Sequence, residues 1–277
     1  MPRPSLVRRP AARWGRLPSG PAPELDGQPP EAAVSARVSS ALLGGKDHWP
    51  RDRDAAQRLC ELDPSWARDA AAARAAVLGL AAATRGIDQF VDLGCGLTTG
   101  AADSALAPLH TAVGPRHPGA HVVYADRDPM VLAHTRALLH PPAPATARHL
   151  EADLTDPVAL LAALRHEAGL QWRRPVAVLL SDVLHELTDA QARPLLAALR
   201  DDLPDGSVLL LTHRLPAEGA TAAAVATAHT EAALAWHPRA ADQLTALLPG
   251  WRALPLAHTT RTPGFTTLAV TTGRRPA

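Results

Sequence analysis

Apolar positions change their spacing along the chain, and the change separates a helical part from a part in which strands alternate with helices. Between Glu31 and Gly86, apolar residues recur at the spacing of amphipathic helices. From Gln89 onward, short apolar runs alternate with helical patterns, which is typical of a parallel sheet with helices on both faces. The pattern therefore predicts a doubly wound α/β fold that is preceded by helices.

The alternation predicts five strands of a covered sheet, followed by two strands that pair as an antiparallel edge. Residues 176–180 are apolar at every position, as expected for a strand that is covered on both faces. The predicted strands are 89–93, 121–125, 147–151, 176–180, 207–212, 251–256 and 265–271. The predicted helices are 34–43, 64–83, 101–113, 128–139, 157–168, 189–203, 217–235 and 238–248, together with one that begins at about residue 52. The start of the helix at 101–113 is predicted at Thr98–Gly100.

Composition adds an N-terminal tail to this organisation. Residues 1–30 are crowded with Pro, Arg and Gly and show no apolar periodicity, so we expect them to be disordered. The chain is accordingly divided into this tail, a helical cap at 31–85 and a cofactor-binding domain at 86–277. The formal net charge is +1 and there are no runs of like charge, so no nucleic-acid partner is expected.

Cysteine usage and the length of the apolar runs indicate a protein of a reducing compartment. Cys60 and Cys95 are the two cysteines of the chain, and they give neither a disulfide framework nor a metal-binding spacing. No apolar run approaches the ~20 residues that a membrane helix needs. The basic N-terminus has no apolar segment behind it, so no secretory signal is expected. We expect a cytoplasmic protein with no membrane contact and no metal.

The first strand runs into a turn that is rich in Asp and Gly, and this turn is the strongest functional signal. Asp92, Gly94, Cys95 and Gly96 form it. Glycine lets backbone N–H groups approach a ligand with no Cβ in the way, so the turn could cradle the polar tail of a nucleoside cofactor. The structural alternative is a tight strand-to-helix turn with a capping Asp.

Two further strands end in acids after similar gaps. Asp126 ends the second strand, where an acid can accept both hydroxyls of a ribose, and Arg127 follows it. Asp153 follows the third strand, where it can accept from an exocyclic amine while the Leu154 N–H faces a ring nitrogen. A solvated turn around Asp126 and a helix-capping role for Asp153 are the alternatives. Three such ends on one sheet edge predict a nucleoside site.

The segment after the fourth strand carries the candidates for acid–base chemistry. Ser181 follows that strand at a position that faces the site from below the reacting group, and His185 and Glu186 lie in the same segment. His185 is a candidate general base because histidine titrates near neutral pH. The alternative is that His185 packs over the adenine or caps the next helix. Asp182 with His185 and Glu186 could hold a metal, but no further ligand is placed in the sequence.

The single lysine of the chain, Lys46, follows two glycines in the run Leu-Leu-Gly-Gly-Lys-Asp at 42–47. It could fold over the sheet edge and reach a carboxylate. A helix end with a solvated Lys–Asp pair is the alternative. His48, two residues further on, is a second candidate base.

With these residues in hand, the chain resembles class I S-adenosylmethionine-dependent methyltransferases. The run Val-Asp-Leu-Gly-Cys-Gly at 91–96 matches their first motif and lacks the third glycine of the dinucleotide pattern. More narrowly, it resembles an actinobacterial S-adenosyl methyltransferase family that was formerly labelled a domain of unknown function. The resemblance runs from about residue 31 to the C-terminus. Its marks are the runs at 36–38, 42–47, 123–134, 152–157, 174–180 and 206–213.

This resemblance implies a seven-stranded Rossmann-like methyltransferase sheet with an N-terminal helical cap and S-adenosyl-L-methionine as the cofactor. It places Gly94 near the methionine moiety, Asp126 on the ribose, and Asp153 with Leu154 on the adenine. The family gives the cofactor and not the acceptor, which we expect to be a small molecule. We therefore predict a transferase that moves a methyl group by direct displacement at the sulfonium carbon.

Several positions depart from the family pattern and keep two alternatives open. Ser39-Ser40 stands where a Tyr-Asp pair is usual, His48-Trp49 replaces an Asn and an aromatic, and 97–99 read Leu-Thr-Thr instead of Leu-Pro-Thr. An expected Asn and His-Glu have no clear match at 101–105. These departures favour a protein that holds S-adenosylmethionine or S-adenosylhomocysteine without turnover. An NAD-dependent Rossmann enzyme is the other alternative.

Overall fold

Seven strands form one sheet in the described part of the chain, which comprises residues 32–98, 100, 104–254 and 264–272 of a computed structural model. The expected disordered tail lies outside these residues. The strand order is β3-β2-β1-β4-β5-β7-β6. The strands are β1 Gln89–Leu93, β2 His121–Asp126, β3 Thr146–Glu151, β4 Ala177–Ser181, β5 Val208–Arg214, β6 Arg252–Ala253 and β7 Phe265–Thr271.

Strands β1 to β5 are parallel, and β7 runs antiparallel between β5 and β6. The prediction of a doubly wound sheet of seven strands, with an antiparallel pair at one edge, is confirmed. The order reverses at β1, because β2 and β3 lie on one side of it and β4 and β5 on the other. In open α/β sheets this reversal opens a crevice at the carboxyl ends of the strands.

Helices cover both faces of the sheet and precede it. They are α1 Ser35–Leu42, α2 Pro50–Leu62, α3 Trp66–Ala83, α4 Leu109–Val113, α5 Pro129–Leu138, α6 Pro157–His166, the 3-10 helix Leu184–Glu186, α7 Asp189–Asp202, α8 Gly219–Glu231 and α9 Ala241–Ala246. The predicted helical region at the N-terminus is confirmed.

The predicted start of a helix at Thr98–Gly100 is wrong. Thr98 belongs to no helix or strand and Gly100 lies in a bend, while α4 begins only at Leu109. The Gly100 N–H donates to the Leu106 carbonyl at 3.0 Å, so the backbone folds back on itself here. Pro108 then sits in the extended conformation directly before α4.

Two aspartates cap helices as the sequence indicates. Asp128 accepts a hydrogen bond from the Met130 N–H at 2.8 Å, and Asp156 accepts from the Ala159 N–H at 3.0 Å. Each is followed by a proline in the first turn, where the missing N–H costs nothing. These caps fix the positions at which α5 and α6 begin, beyond the carboxyl ends of β2 and β3.

Apolar side chains fill both faces of the sheet. β1 and β5 are buried at every position, and the apolar residues Ala177–Leu180 of β4 are buried as well, as expected for strands that are covered on both faces. A third apolar cluster joins the N-terminal helices to α8, and Val38, Leu59, Trp66 and Val225 lie in it. From Ala32 onward the chain forms one compact unit. No helix among the described residues combines the length and apolarity that crossing a bilayer requires.

Two buried ion pairs tie the N-terminal helices to their surroundings. Arg74 of α3 donates to Asp92 of β1 at 2.9 Å, and Arg37 of α1 donates to Asp52 of α2 at 2.8 Å. Both aspartate side chains are fully buried. A buried charge is tolerated only with its partner in place, so each pair constrains the helices that carry it.

Replacement of Arg74 by Met should lower the free energy of unfolding by about 3–5 kcal/mol, because it leaves the Asp92 carboxylate buried without its counter-charge. Urea unfolding monitored by circular dichroism measures this. Arg193→Met is the matched control: its pair with Asp189 is more than half exposed on both sides, so a change below about 1 kcal/mol is expected. Equal losses in the two variants would contradict the assigned role of the Arg74–Asp92 pair.

Candidate functional site

The turn after β1 is held against the end of β2 by backbone hydrogen bonds. The N–H groups of Gly94 and Cys95 both donate to the Ala125 carbonyl, at 2.8 and 3.1 Å. Gly94 has φ +67, and a Cβ there would lie 2.7 Å from a methyl group of Val183. Glycine is therefore required at this position both by its conformation and by the segment after β4.

Gly96 leaves room for a ligand beside the turn. It has φ +58, and none of the described atoms beyond its chain neighbours lies within 4 Å of a Cβ built on it. Its N–H donates to Asp126 Oδ2 at 3.0 Å. The backbone at Gly96 is thus open to a ligand on one side, and on the other side its hydrogen bond to Asp126 fixes it.

Asp126 joins this turn to the start of α5. Besides Gly96, its carboxylate accepts a hydrogen bond from the Asp128 N–H at 3.0 Å. Burial raises the pKa of Asp126, and the two N–H donors oppose that shift. Arg127, the next residue, is exposed. Asp126 therefore stands at the crevice with its orientation already fixed by the backbone.

Asp92 does not point into open space. Its side chain is fully buried, with Oδ2 on Arg74 and Oδ1 without a hydrogen-bond partner among the described residues. Thr98 Oγ1 is also buried and lacks such a partner. Two polar atoms near the turn thus remain available to a bound group.

The two predicted adenine contacts, Asp153 and Leu154, differ in their exposure. Asp153 is exposed, and its Oδ1 accepts hydrogen bonds from the N–H and the hydroxyl of Thr155, both at 2.8 Å. Leu154 is buried in the apolar cluster below the sheet edge. Capping of α6 falls to Asp156. Asp153 shapes the turn after β3 and keeps one oxygen, Oδ2, outside these bonds.

The segment after β4 brings Asp182 and His185 together. Ser181 ends β4 half-buried, and Asp182 follows with φ 52, a conformation that non-glycine residues rarely adopt. Asp182 Oδ1 accepts from the Arg214 N–H at 3.2 Å and lies 3.3 Å from His185 Nδ1. Burial lowers the pKa of His185, but Asp182 and Glu186 outweigh it, and the net shift is upward from 6.5.

Two further histidines that the sequence pattern did not single out, His213 and His229, lie near His185. His213 of β5 is fully buried, with its ring centroid 6.5 Å from that of His185. Its Nε2 accepts from the Arg239 N–H at 3.0 Å, so the ring is neutral with its proton on Nδ1. Burial lowers the pKa of His213 to about 4, and burial likewise lowers the pKa of His229 to about 4. The polar Thr-His-Arg run that ends an apolar strand was the available signal.

Arg239 fixes the 3-10 helix that carries His185. Its guanidinium donates to the carbonyls of Leu184 and Leu187 at 2.8 and 2.6 Å and to Asp189 at 2.8 Å. The connection between α8 and α9 is thereby held against this helix, and the Trp236 ring lies 5.3 Å from that of His185. A cavity of about 530 Å³ opens on this connection, lined by Thr188, Asp189, Arg193, Trp236, His237, Pro238, Arg239, Gln243 and Ala246.

Helix α1 reaches both flanks of the turn after β1. Ser35 Oγ donates to Glu186 Oε1 at 2.6 Å, and Arg37 Nη1 lies 4.0 Å from Met130 Sδ at the start of α5. Gly45 packs on the segment after the turn, since a Cβ there would lie 2.6 Å from Leu106. The cap is therefore in contact with the crevice.

The two cap residues singled out in the sequence differ in exposure. Lys46 is exposed on the loop that Gly45 anchors, and His48 is half-buried with Nδ1 buried and lacking a partner within the described chain. In that same part of the chain, no group of three or more His, Cys, Asp or Glu residues is arranged to hold a metal ion.

Comparison with known proteins agrees with this geometry. The model of a family described as S-adenosyl methyltransferase matches residues 21–257. A methyltransferase candidate from Thermobifida fusca YX is 27% identical, with a TM-score of 0.73 over 90% of this chain and 97% of that one. A DUF574 family protein from Streptomyces avermitilis MA-4680 is 26% identical, with a TM-score of 0.74 over 87% and 98%. No curated protein sequence matches significantly.

The two neutral histidines predict that stability falls on acidification. Unfolded histidine binds protons near pH 6.5, whereas folded His213 and His229 do so only near about 4. The unfolded state therefore binds more protons between these values, and the free energy of unfolding should drop by roughly 2–3 kcal/mol per histidine as pH falls through this window. Urea unfolding at pH 7 and at pH 5 measures the difference.

His229→Asn separates this contribution from other titrations. The Asn side chain can still donate to the Val225 carbonyl, as His229 Nδ1 does at 2.8 Å, but it does not titrate. It should shrink the stability difference between pH 7 and pH 5, whereas the same change at exposed His166 should leave it in place. An undiminished difference in His229→Asn would refute the assignment.

Proposed function

Because the chain belongs to the S-adenosyl methyltransferase family, we propose that it transfers the methyl group of S-adenosyl-L-methionine to a small molecule held beside His185. The observation that carries the proposal is the hydrogen bond from the Gly96 N–H to Asp126 next to the open side of that glycine. It places a fixed carboxylate and an accessible backbone at the point where the strand order reverses. Such a point is where nucleosides bind in sheets of this kind.

S-adenosyl-L-methionine is the cofactor of the family, and the residues at the crevice fit it. Asp126 would accept from the ribose hydroxyls, and the turn from Gly94 through Cys95 to Gly96 would face the methionine moiety. Asp92 lies in β1, two residues before Gly94, and its buried Oδ1, which lacks a hydrogen-bond partner among the described residues, is suited to a cationic or hydrogen-bonding group. The backbone here can therefore be approached without displacing a side chain.

The remaining candidate contacts line the flanks of this crevice. Asp153 and the Leu154 N–H follow β3, where the adenine edge would lie, with Arg127 beside the ribose and Ser181 below the reacting group. Lys46 stands on the anchored loop of the cap. These assignments rest on the position of each residue at the carboxyl edge of the sheet.

When bound, the cofactor supplies an electrophilic methyl group on its sulfonium sulfur. The task of the chain is to align a nucleophile in line with that methyl, and Arg239 contributes by fixing the backbone on both sides of His185. For an acceptor that keeps its proton, His185 would remove it, with Asp182 stabilising the resulting imidazolium at 3.3 Å. His48 is the second candidate base. The cap at 31–85 would exclude water and shape the acceptor pocket.

Binding without turnover is the second candidate function. It is favoured by the cap residues that depart from the family pattern: Ser40 Oγ is buried beside Gly45 with no hydrogen-bond partner in the described chain.

An acceptor screen separates the two functions. The protein is incubated with S-adenosylmethionine carrying a labelled methyl group and with panels of phenols, amines, thiols and carboxylic acids. Transfer of the label, with release of S-adenosylhomocysteine, is expected for at least one hydroxyl or amine acceptor. Tight cofactor binding without transfer to any panel would instead support the non-catalytic function.

Asp126→Asn should weaken S-adenosylhomocysteine binding by roughly 10- to 100-fold, because a charged acceptor of two ribose hydroxyls is replaced by a neutral one. Isothermal titration calorimetry measures the dissociation constant. Asp88→Asn makes the same change just before β1, at the amino ends of the parallel strands and away from the crevice, and should leave the affinity unchanged. Equal affinities of Asp126→Asn and the wild type would show that the ribose lies elsewhere.

The His185 imidazole should titrate above pH 6.5, because its carboxylate neighbours outweigh its burial. Heteronuclear NMR of the histidine rings measures the midpoint, and the spectrum of His185→Gln identifies the resonance. In Asp182→Asn the midpoint should fall, because the charge of Asp182 no longer opposes the lowering of the His185 pKa by burial. Methyl transfer that uses neutral His185 should rise with pH through the same midpoint. A midpoint at or below 6.5 in the wild type would contradict this arrangement.

A further inference from the structure

Helix α1 passes over the turn after β1. Ser35 contacts Glu186, which follows β4, and Arg37 contacts Met130, which follows β2. In the sheet, β1 lies between β2 and β4. A helix that touches the segments after both neighbours must therefore cross the carboxyl end of β1, where Gly94 and Gly96 turn.

Arg37 is the cation that this crossing brings to the crevice. The residue is only 7% exposed. Its Nε donates to Asp52 at 2.8 Å, and its Nη1 has a 4.0 Å contact with the thioether of Met130. Neither terminal amino group has an oxygen partner among the described residues. A guanidinium has five N–H donors in a planar fork, so most of this donor capacity is unused at a nearly buried position.

Asp52 holds Arg37 in place without using its fork. The Asp52 carboxylate is fully buried and also accepts from the N–H groups of Val34 and Trp49, at 2.9 and 2.8 Å. Trp49 lies under the guanidinium, with 4.3 Å between Arg37 Cζ and the ring centroid. The side chain is thus fixed on one edge and one face, while the Nη edge is turned toward Met130 at the crevice.

We propose that Arg37 binds the carboxylate of the methionine moiety of the cofactor. Glu186, which contacts Ser35 of the same helix, suits the ammonium and sulfonium groups of that moiety but would repel its carboxylate. Arg74 cannot serve, because it is committed to Asp92. A planar fork matches a carboxylate with two parallel hydrogen bonds. This inference rests on the proposed binding of the cofactor at the carboxyl edge.

Two other cations of the cap are the alternatives. Lys46 is exposed on the loop after α1, and Arg51 of α2 has one buried Nη1 without a partner in the described chain. Within the described chain, no hydrogen bond or ion pair joins either side chain to the sheet edge, whereas Arg37 contacts Met130 directly. The structural alternative is that Arg37 only braces α1 against α2 through Asp52.

A pair of ligands isolates the carboxylate contact. S-adenosylhomocysteine carries the amino-acid moiety, and methylthioadenosine has the same nucleoside and sulfur without it. Calorimetric titration of both is carried out on the full chain, in the wild type and in Arg37→Gln. Arg37→Gln should weaken S-adenosylhomocysteine binding by about 10- to 100-fold and change methylthioadenosine binding by less than about 3-fold.

Matched variants keep the result interpretable. Lys46→Gln and Arg51→Gln remove the alternative cations, and neither should cause the selective loss of S-adenosylhomocysteine affinity that Arg37→Gln causes. Asp52→Asn disturbs the same buried pair but keeps the guanidinium, so it should lose less of the preference for S-adenosylhomocysteine than Arg37→Gln does. Arg37→Lys, which keeps the charge and loses the fork, should recover part of the lost affinity.

Each outcome decides the proposal. Equal losses for both ligands in Arg37→Gln, or a loss for S-adenosylhomocysteine alone in Lys46→Gln or Arg51→Gln but not in Arg37→Gln, would overturn it. Unchanged binding of both ligands in Arg37→Gln would overturn it as well. Failure of the wild type to bind either ligand would instead overturn the proposed function, because the nucleoside site itself would then be absent.

Discussion

The site depends on how the turn after β1 is held by β2. Three consecutive backbone N–H groups, of Gly94, Cys95 and Gly96, donate to the Ala125 carbonyl and the Asp126 carboxylate. Both glycines adopt positive φ, which lets the chain turn within so short a distance. These N–H groups are directed toward β2, and the space beside Gly96 stays open for a ligand. Methyl transfer requires such a rigid, accessible backbone, because its rate depends on alignment.

The N-terminal helices complete this edge through buried charge. Asp52 gathers two backbone N–H groups and the Arg37 guanidinium, and thereby orients the arginine that α1 carries over the turn. Desolvating these charges is costly, and the cost is offset only when every partner is in place. The same arrangement that stabilises the cap therefore fixes a cation with free donors above an otherwise acidic crevice. The proposed carboxylate contact of Arg37 would therefore couple cofactor recognition to the stability of this pair.

Sequence periodicity predicted most of the fold because apolar runs and capping residues act locally. Asp128 and Asp156, each followed by proline, marked two helix starts correctly, and the apolar run at 176–180 marked a strand covered on both faces. The helix at Thr98–Gly100 was misplaced because a backbone bond from Gly100 to Leu106 competes with helical bonding there. That bond depends on a fold-back which has no signature in residue type.

The candidate site was predictable where chemistry follows strand ends and not where it depends on contacts distant in sequence. Asp126 and Gly96 were identified from their place after β2 and β1. The burial of Asp92 against Arg74, the partnership of Asp182 with His185, and the position of Arg37 next to Met130 join elements that the sequence leaves unconnected. His213 was missed because its neutral tautomer is set by the backbone of Arg239, 26 residues away.

The most direct test of this account is calorimetric titration of the full chain with S-adenosylmethionine, S-adenosylhomocysteine and NAD under identical conditions. The account predicts that both sulfur nucleosides bind one to one, and that NAD does not bind, since the turn lacks the third glycine of a dinucleotide site. Binding of NAD without either sulfur nucleoside would contradict it, because the crevice would then serve a different cofactor.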